Sequence, residues 1–205
     1  SSGNSLVITL NASATPTAMT ALVQNITYEN TDTSVPSTGA RTVRYVLTDG
    51  DGGTSANYDT TVTVTAVNDA PVLTPVAPDV TFVEGGMAQV IDATGTITDV
   101  DSANFDGGVL TVSISANGTA DDRVIVGNWG TGPGQVGVSG SDVTYGGTVI
   151  GTASGGTSGS DPLVITFNTS ATPTAVQEVY RSIQFNNVSE NPSTATRTLT
   201  IGLTD

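Results

Sequence analysis

Over much of the chain, apolar and polar residues alternate one for one. "YDTTVTVTAV" at 58–67 sets Val against Thr, as a strand with one buried face requires, because successive side chains of a strand point to opposite faces. "VLTVSIS" (109–115), "DRVIV" (122–126), "LVITF" (163–167) and "RTLTIGL" (197–203) keep the same period. Gly-rich stretches such as "DGG", "GTGPG" and "GGT" lie between such runs and supply turns. Many short strands of this kind predict an antiparallel β-sandwich. One segment breaks the period. In "TPTAVQEVYRSI" (172–183), Thr172 suits an N-cap, Pro173 the first helical position, and Val176, Val179 and Tyr180 share one helical face. A short helix is expected there, with a weaker copy at 15–25. Tyr180 and Trp129 are expected in the core, with a sugar-stacking surface position as the alternative for Trp129.

The chain repeats itself. "SLVITLNASATPTA" (5–18) returns as "PLVITFNTSATPTA" (162–175), "NITYEN" as "SIQFNN", and "PSTGARTVRYVLTD" (36–49) as "PSTATRTLTIGLTD" (192–205). The offset is constant over the first two pairs and one residue shorter at the third. A long period with strong self-similarity predicts a tandem array of domains. In phase, residues 1–69 form the C-terminal part of one repeat, 70–78 a linker, and 79–205 most of the next repeat, short of its last strand. Pro71, Pro75 and Pro78 stiffen the linker, since proline fixes φ and biases its predecessor towards extended backbone. The opening "SSGNSLVITL" reads as a segment of something longer.

Charge narrows the function. Nineteen acidic residues face five basic ones in 205, a formal net charge of −14. Nucleic acid and anionic membrane surfaces both call for a cationic footprint, so neither is an expected partner. No apolar run approaches a membrane span, so direct insertion is not expected either. The chain has no Cys and no His. Disulfides, thiolate or imidazole metal sites, and Ser-His-Asp or Cys-His catalysis are therefore excluded within it. The remaining ligand type is oxygen, which selects hard cations, above all Ca²⁺.

The carboxylates fall in short motifs. "VEGG" places Glu84 at a strand end, "ITDVDS" sets Asp99 and Asp101 two apart, and "LTDGDGG" does the same with Asp49 and Asp51. Asp205 ends the second copy of "LTD", and "VNDAP" supplies Asn68 and Asp69. Residues i and i+2 of a strand share a face, so Asp-x-Asp aims two carboxylates at one point. Two such charges about 4 Å apart repel by roughly 4 kcal/mol at an effective dielectric of about 20, and a cation removes that cost. The competing account is local: Asp and Gly are ordinary turn residues, and an acidic surface is soluble without any bound ion.

Taken together, these motifs resemble a cadherin repeat, with its Glu, Asp-x-Asp, Ala-x-Asp and Asp-x-Asn-Asp-Asn-x-Pro elements. "VEG" is similar to the first, "TDVDS" to the second, "VLTDGDGG" to the third and "AVNDAP" to the linker. The closest resemblance is to the cadherin-like repeats of giant bacterial surface adhesins, where "AVNDAPV" recurs at junctions. It covers 72–205 in outline and 41–71 closely. Ala66 and Ala70 replace two linker ligands and no Asp-Arg-Glu motif is present, which implies fewer ions per junction. The resemblance implies an all-β chain of Ig-like or cadherin-like sandwich repeats in tandem, with one short helix per repeat. It implies Ca²⁺ held by Asp99, Asp101 and Asp205 with Asn68 and Asp69. Glu84 would face the opposite end, and Asp49 with Asp51 the junction before the first repeat.

The expected function is that of a calcium-stiffened extender in a long extracellular adhesin, whose partners are neighbouring repeats of the same protein. The alternative is a self-assembling fibre or surface-layer subunit, in which identical subunits exchange strands. An enzyme is not expected: the adjacent carboxylates of Asp121 and Asp122 would point to opposite faces of a strand, whereas an acid and base must flank one bond. A carbohydrate-binding module would have only Trp129 and scattered Tyr to offer.

Overall fold

The alternating runs form strands in the computed structural model, which describes residues 4–76 and 79–205, although "YDTTVTVTAV" at 58–67 is a strand only over Tyr58–Val62. Pro78 of the linker lies outside the described residues. The chain divides into two units at Ala66–Val67.

The first unit holds helix α1 (Pro16–Gln24) and strands β1 (Arg41–Tyr45) and β2 (Tyr58–Val62). Thr15 caps α1, its hydroxyl accepting from the Ala18 N–H at 3.2 Å, and Pro16 opens the first turn. β1 and β2 pair antiparallel, with Arg41 opposite Val62 and Tyr45 opposite Tyr58. Arg44 forms an exposed two-pronged ion pair with Asp59. None of the described residues of this unit is buried. Leu6 and Val7 are 72% and 80% exposed. A two-stranded hairpin is marginal in water unless something packs on its apolar face.

The second unit is all-β around one helix. It comprises β3 (Val72–Thr74), β4 (Gln89–Val90), β5 (Thr96–Thr98), β6 (Val109–Ala116), β7 (Asp122–Val126), β8 (Val136–Ser139), β9 (Asp142–Tyr145), β10 (Thr148–Ser154), β11 (Leu163–Phe167), α2 (Pro173–Arg181), β12 (Ile183–Asn187) and β13 (Thr198–Leu203). A six-stranded antiparallel sheet runs β13-β6-β11-β10-β9-β8. A three-stranded sheet runs β4-β12-β7, and β3 pairs with β5. The core is one cluster to which both larger sheets contribute: Leu110, Val112, Val143, Ile150, Leu163, Ile165 and Phe167 from the first, Val124 and Ile183 from the second. α2 presents Ala175, Val176, Val179 and Tyr180 to this cluster, and Thr172 caps it as Thr15 caps α1. Burial of a side chain of this size contributes about 1.5–3 kcal/mol.

The duplicated sequence has different surroundings in the two units. Leu163, Ile165 and Phe167 are buried because β11 lies between β6 and β10. Their copies Leu6, Ile8 and Leu10 are flanked by no strand among the described residues, and they are exposed. Tyr180 is core, but Trp129 is not: it is 53% exposed and lines a shallow depression beside Glu178 and Arg181. The core position expected for Trp129 is not taken: it lies on an irregular segment after β7, its N–H bonded to the Val136 carbonyl and its side chain half in solvent.

Two buried carboxylates hold the second unit together. Asp92 accepts from the N–H groups of Val76, Thr94 and Gly95 and from the Tyr180 hydroxyl at 2.7 Å. Gly95 is required beside this bond, since a Cβ there would sit 2.5 Å from the Tyr180 ring and 2.6 Å from Asp92 Oδ2. Asp122, at the start of β7, accepts from Arg197, the Asn187 amide and the Thr119 N–H. Burial pushes both carboxyls up, but the donors outweigh it and hold both below their ordinary value of 3.8.

The sign of the linkage follows. Below its ordinary pKa the unfolded chain binds protons that the folded one does not, so the stability from these groups is complete above about pH 4 and declines as pH falls through the folded values. Unfolding in urea, followed by the single tryptophan of the chain, should give a free energy nearly flat between about pH 5 and 8 that declines below about pH 4. Asp122→Ala leaves the largely buried Arg197 without its counter-charge, although its Nη1 still donates to the Ser193 and Ala195 carbonyls, and should cost about 3–5 kcal/mol at neutral pH. It should also shallow the acid decline. A variant with unchanged midpoint and unchanged acid slope would refute the account.

Candidate functional site

The linker motif and the Asp-x-Asp loop meet at one end of the second unit. β5 ends at Thr98 and the chain bends through Asp99–Ser102. The bend is an Asx turn: Asp99 Oδ1 accepts from the N–H of Asp101 at 3.1 Å and of Ser102 at 2.9 Å. Asp101 Oδ2 in turn accepts from the Asp69 N–H at 3.1 Å. Asp205 arrives from the end of β13, held there by the ladder bonds between Val109 and Thr204. Gly108 lets it come close, because a Cβ on Gly108 would lie 2.5 Å from the Thr204 carbonyl. Asp205 Oδ2 accepts from Ser102 Oγ at 2.7 Å and Asn68 Nδ2 at 2.8 Å. The Ser102 and Asn68 hydrogen bonds hold its carboxyl below the ordinary value.

Five of the eight residues singled out from sequence, Asn68, Asp69, Asp99, Asp101 and Asp205, are thus joined by a continuous set of hydrogen bonds through Ser102 and the loop backbone. All belong to the second unit. Ser102 was not among the expected ligands, although its place directly after Asp-x-Asp is a turn signal. The other three residues lie elsewhere. Glu84 is exposed in the turn Glu84–Gly85, not on a strand, because Gly85 takes a positive φ and the Gly86 N–H returns to the Val83 carbonyl. Asp49 closes its own Asx turn, Oδ1 accepting from Asp51 at 3.0 Å and Gly53 at 2.9 Å. Asp51 is exposed, and its side chain makes no hydrogen bond among the described residues.

Two oxygens in the cluster have no donor. Asp69 Oδ2 and Asp99 Oδ2 are both shielded from solvent and without a hydrogen-bond partner. A shielded carboxylate oxygen left unpaired is costly, and a cation is one group that satisfies it. The donor set fits a hard cation in kind, being oxygen throughout. No three Asp or Glu side chains among the described residues converge tightly enough to hold a metal between them. Asn68, Ser102 and backbone carbonyls would therefore have to complete any coordination sphere.

No family model, curated protein or solved structure matches this chain. No helix among the described residues is long and apolar enough to cross a membrane.

Asp69 separates the electrostatic account from the turn account. Its side chain accepts no hydrogen bond at Oδ2, so Asp69→Asn removes a charge from an acidic cluster and breaks no turn. In excess EDTA this variant should melt about 2–4 °C above the parent, corresponding to roughly 1 kcal/mol of relieved repulsion. In calcium it should melt below the parent. An unchanged or lower melting temperature in EDTA would mean that the charges at this end do not repel appreciably.

Proposed function

We propose that this chain is a calcium-stiffened extender segment of a long extracellular adhesin, built from cadherin-like sandwich repeats in tandem. Its work is mechanical and not catalytic. The observation that carries the reading is the pair of shielded, donor-less carboxylate oxygens on Asp69 and Asp99, within a cluster that ties the linker motif to the second unit. The internal duplication, the all-β fold, the net charge of −14 and the lack of Cys and His agree with it.

In this reading Asn68, Asp69, Asp99, Asp101 and Asp205 hold Ca²⁺, which neutralises the cluster and supplies electrostatic bonds in place of missing donors. Asn68 stands two residues beyond the end of the first unit. Fixing Asn68 and Asp69 onto the second unit shortens the free hinge between units to the residues before them. Binding free energy thereby becomes stiffness, since only the ordered linker presents every ligand. Asp49, the sequence counterpart of Asp205, and Asp51 would serve the preceding junction, and Glu84 a third. Neighbouring repeats of the same protein are the partners.

Thermal unfolding in millimolar Ca²⁺ and in excess EDTA, beside Asp99→Ala/Asp101→Ala, tests the proposal. Ligand at about one hundred times its dissociation constant adds about 2.7 kcal/mol, so a rise of roughly 5–10 °C is expected for a unit of this size. The double variant should show none of that rise. Superimposable curves for the parent in calcium and EDTA would leave the carboxylates as turn and surface residues only.

A further inference from the structure

The half-exposed Trp129 sits in a shallow depression of about 130 Å³ on the second unit, lined also by Gly134, Gln135, Val136, Glu178 and Arg181. Its place is fixed twice over. The Trp129 N–H donates to the Val136 carbonyl at 2.8 Å. The indole rests against Gly127, where a Cβ would lie 2.9 Å from Nε1 and 3.1 Å from Cε2. We propose that this depression is a binding site for an uncharged pyranose, one sugar ring of a glycan, stacked on Trp129 and held at its hydroxyls by Gln135 and Glu178.

Charge decides the class of ligand. The charged side chains lining the depression are Glu178 and Arg181, and they answer each other: Arg181 Nη1 donates to Glu178 Oε1 at 2.9 Å. Arg181 Nε donates to the Gly95 carbonyl, also at 2.9 Å. Neither an anion nor a cation therefore meets an open counter-charge. Hydrogen-bonding capacity does remain. Gln135 Oε1 accepts from the Gly132 N–H at 2.8 Å, which fixes the amide and leaves Nε2 without a partner among the described residues. Glu178 Oε2 and Trp129 Nε1 likewise make no hydrogen bond among the described residues. An aromatic surface flanked by two donors and one acceptor, with no net charge, suits a ring that carries C–H groups on its faces and hydroxyls around its rim.

Two other occupants fit less well. An extended peptide would add to β8, the edge strand beside Trp129, but that edge is already answered. Asn128 pairs with Val138 as a strand residue would, Nδ2 donating to its carbonyl at 3.1 Å and Oδ1 accepting from its N–H at 3.3 Å, and the Trp129 N–H takes the Val136 carbonyl. A second copy of the chain brings the same net charge of −14 to the contact. The depression is smaller than the roughly 300–1,000 Å³ of sites that enclose a drug-sized ligand, so one ring lies on it and binding of about millimolar strength is expected. The site uses no residue of the acidic cluster and is independent of the calcium reading. A glycan held there gives the extender a lateral contact along its length.

The chain's single tryptophan is the reporter. Methyl β-D-galactopyranoside, methyl β-D-glucopyranoside and methyl α-D-mannopyranoside are each titrated into the full chain to about 100 mM in excess EDTA. At least one should shift the Trp129 indole N–H resonance saturably, and magnetisation transferred from the protein should reach that sugar's ring C–H protons. Trp129→Ala, its fold checked by circular dichroism, should lose the transfer. Gln135→Glu keeps the acceptor for Gly132 but not the Nε2 donor, and should weaken binding several-fold. Failure of all three sugars to shift the resonance, undiminished transfer in Trp129→Ala, or equal affinity in Gln135→Glu would each overturn the proposal. So would an indole resonance that moves on dilution without sugar, which would assign the face to self-association.

Discussion

A carboxylate removed from water must be answered by donors or by a cation, and this chain has few cations of its own. Five basic residues face nineteen acidic ones. Arg44, Arg181 and Arg197 are each committed to one ion pair, and of these only the Arg197–Asp122 pair is largely buried. The second unit therefore answers its other buried carboxylate with neutral donors. Asp92 takes three backbone N–H groups and the Tyr180 hydroxyl, and in doing so pins the segment at Val76 to α2. The same requirement is only partly met at the end where Asp69, Asp99, Asp101 and Asp205 meet. Asx-turn N–H groups, Ser102 and Asn68 answer some of the oxygens, and Asp69 Oδ2 and Asp99 Oδ2 remain without donors. The calcium proposal rests on that contrast within one unit.

The second constraint is the need of a sheet for neighbours on both edges and on its buried face. Similar sequence is core at Leu163–Phe167 and solvent-exposed at residues 6–10, because only the former has flanking strands among the described residues. The same holds for the helices: α2 buries four residues and α1 none. Local signals, the Thr cap and the Pro at the first turn, produce a helix in both places, but burial depends on what surrounds it.

Much of this was legible in the sequence. Period-two alternation located β6, β7, β11 and β13 within a residue or two, and the Thr-Pro start located both helices. The Asn-Asp and Asp-x-Asp motifs, read through the resemblance, named residues that the fold does bring together; only the Asx turn at Asp99 is local, while the bonds from Asp69 to Asp101 and from Asn68 to Asp205 join residues 32 and 137 apart in sequence. Other features depended on tertiary contacts that periodicity does not carry. Asp92 and Asp122 look like any acidic residue near a turn, and their roles come from Tyr180 and Arg197, distant in sequence. Trp129 looked like core because it is large and apolar, yet it lies on an irregular segment after β7 and half of it is in solvent. Glu84 was expected at a strand end, but the Gly85–Gly86 pair makes a turn there.

The central claim is that a cation seats on the Asn68–Asp69, Asp99–Ser102 and Asp205 cluster. Amide resonances followed by NMR through a calcium titration test it most directly. The account predicts saturable shifts concentrated at Asp69, Asp101 and Ser102, whose N–H groups already bond within the cluster, with the Gly85–Gly86 turn unaffected. Shifts spread evenly over acidic surface residues, or none at the cluster, would contradict it.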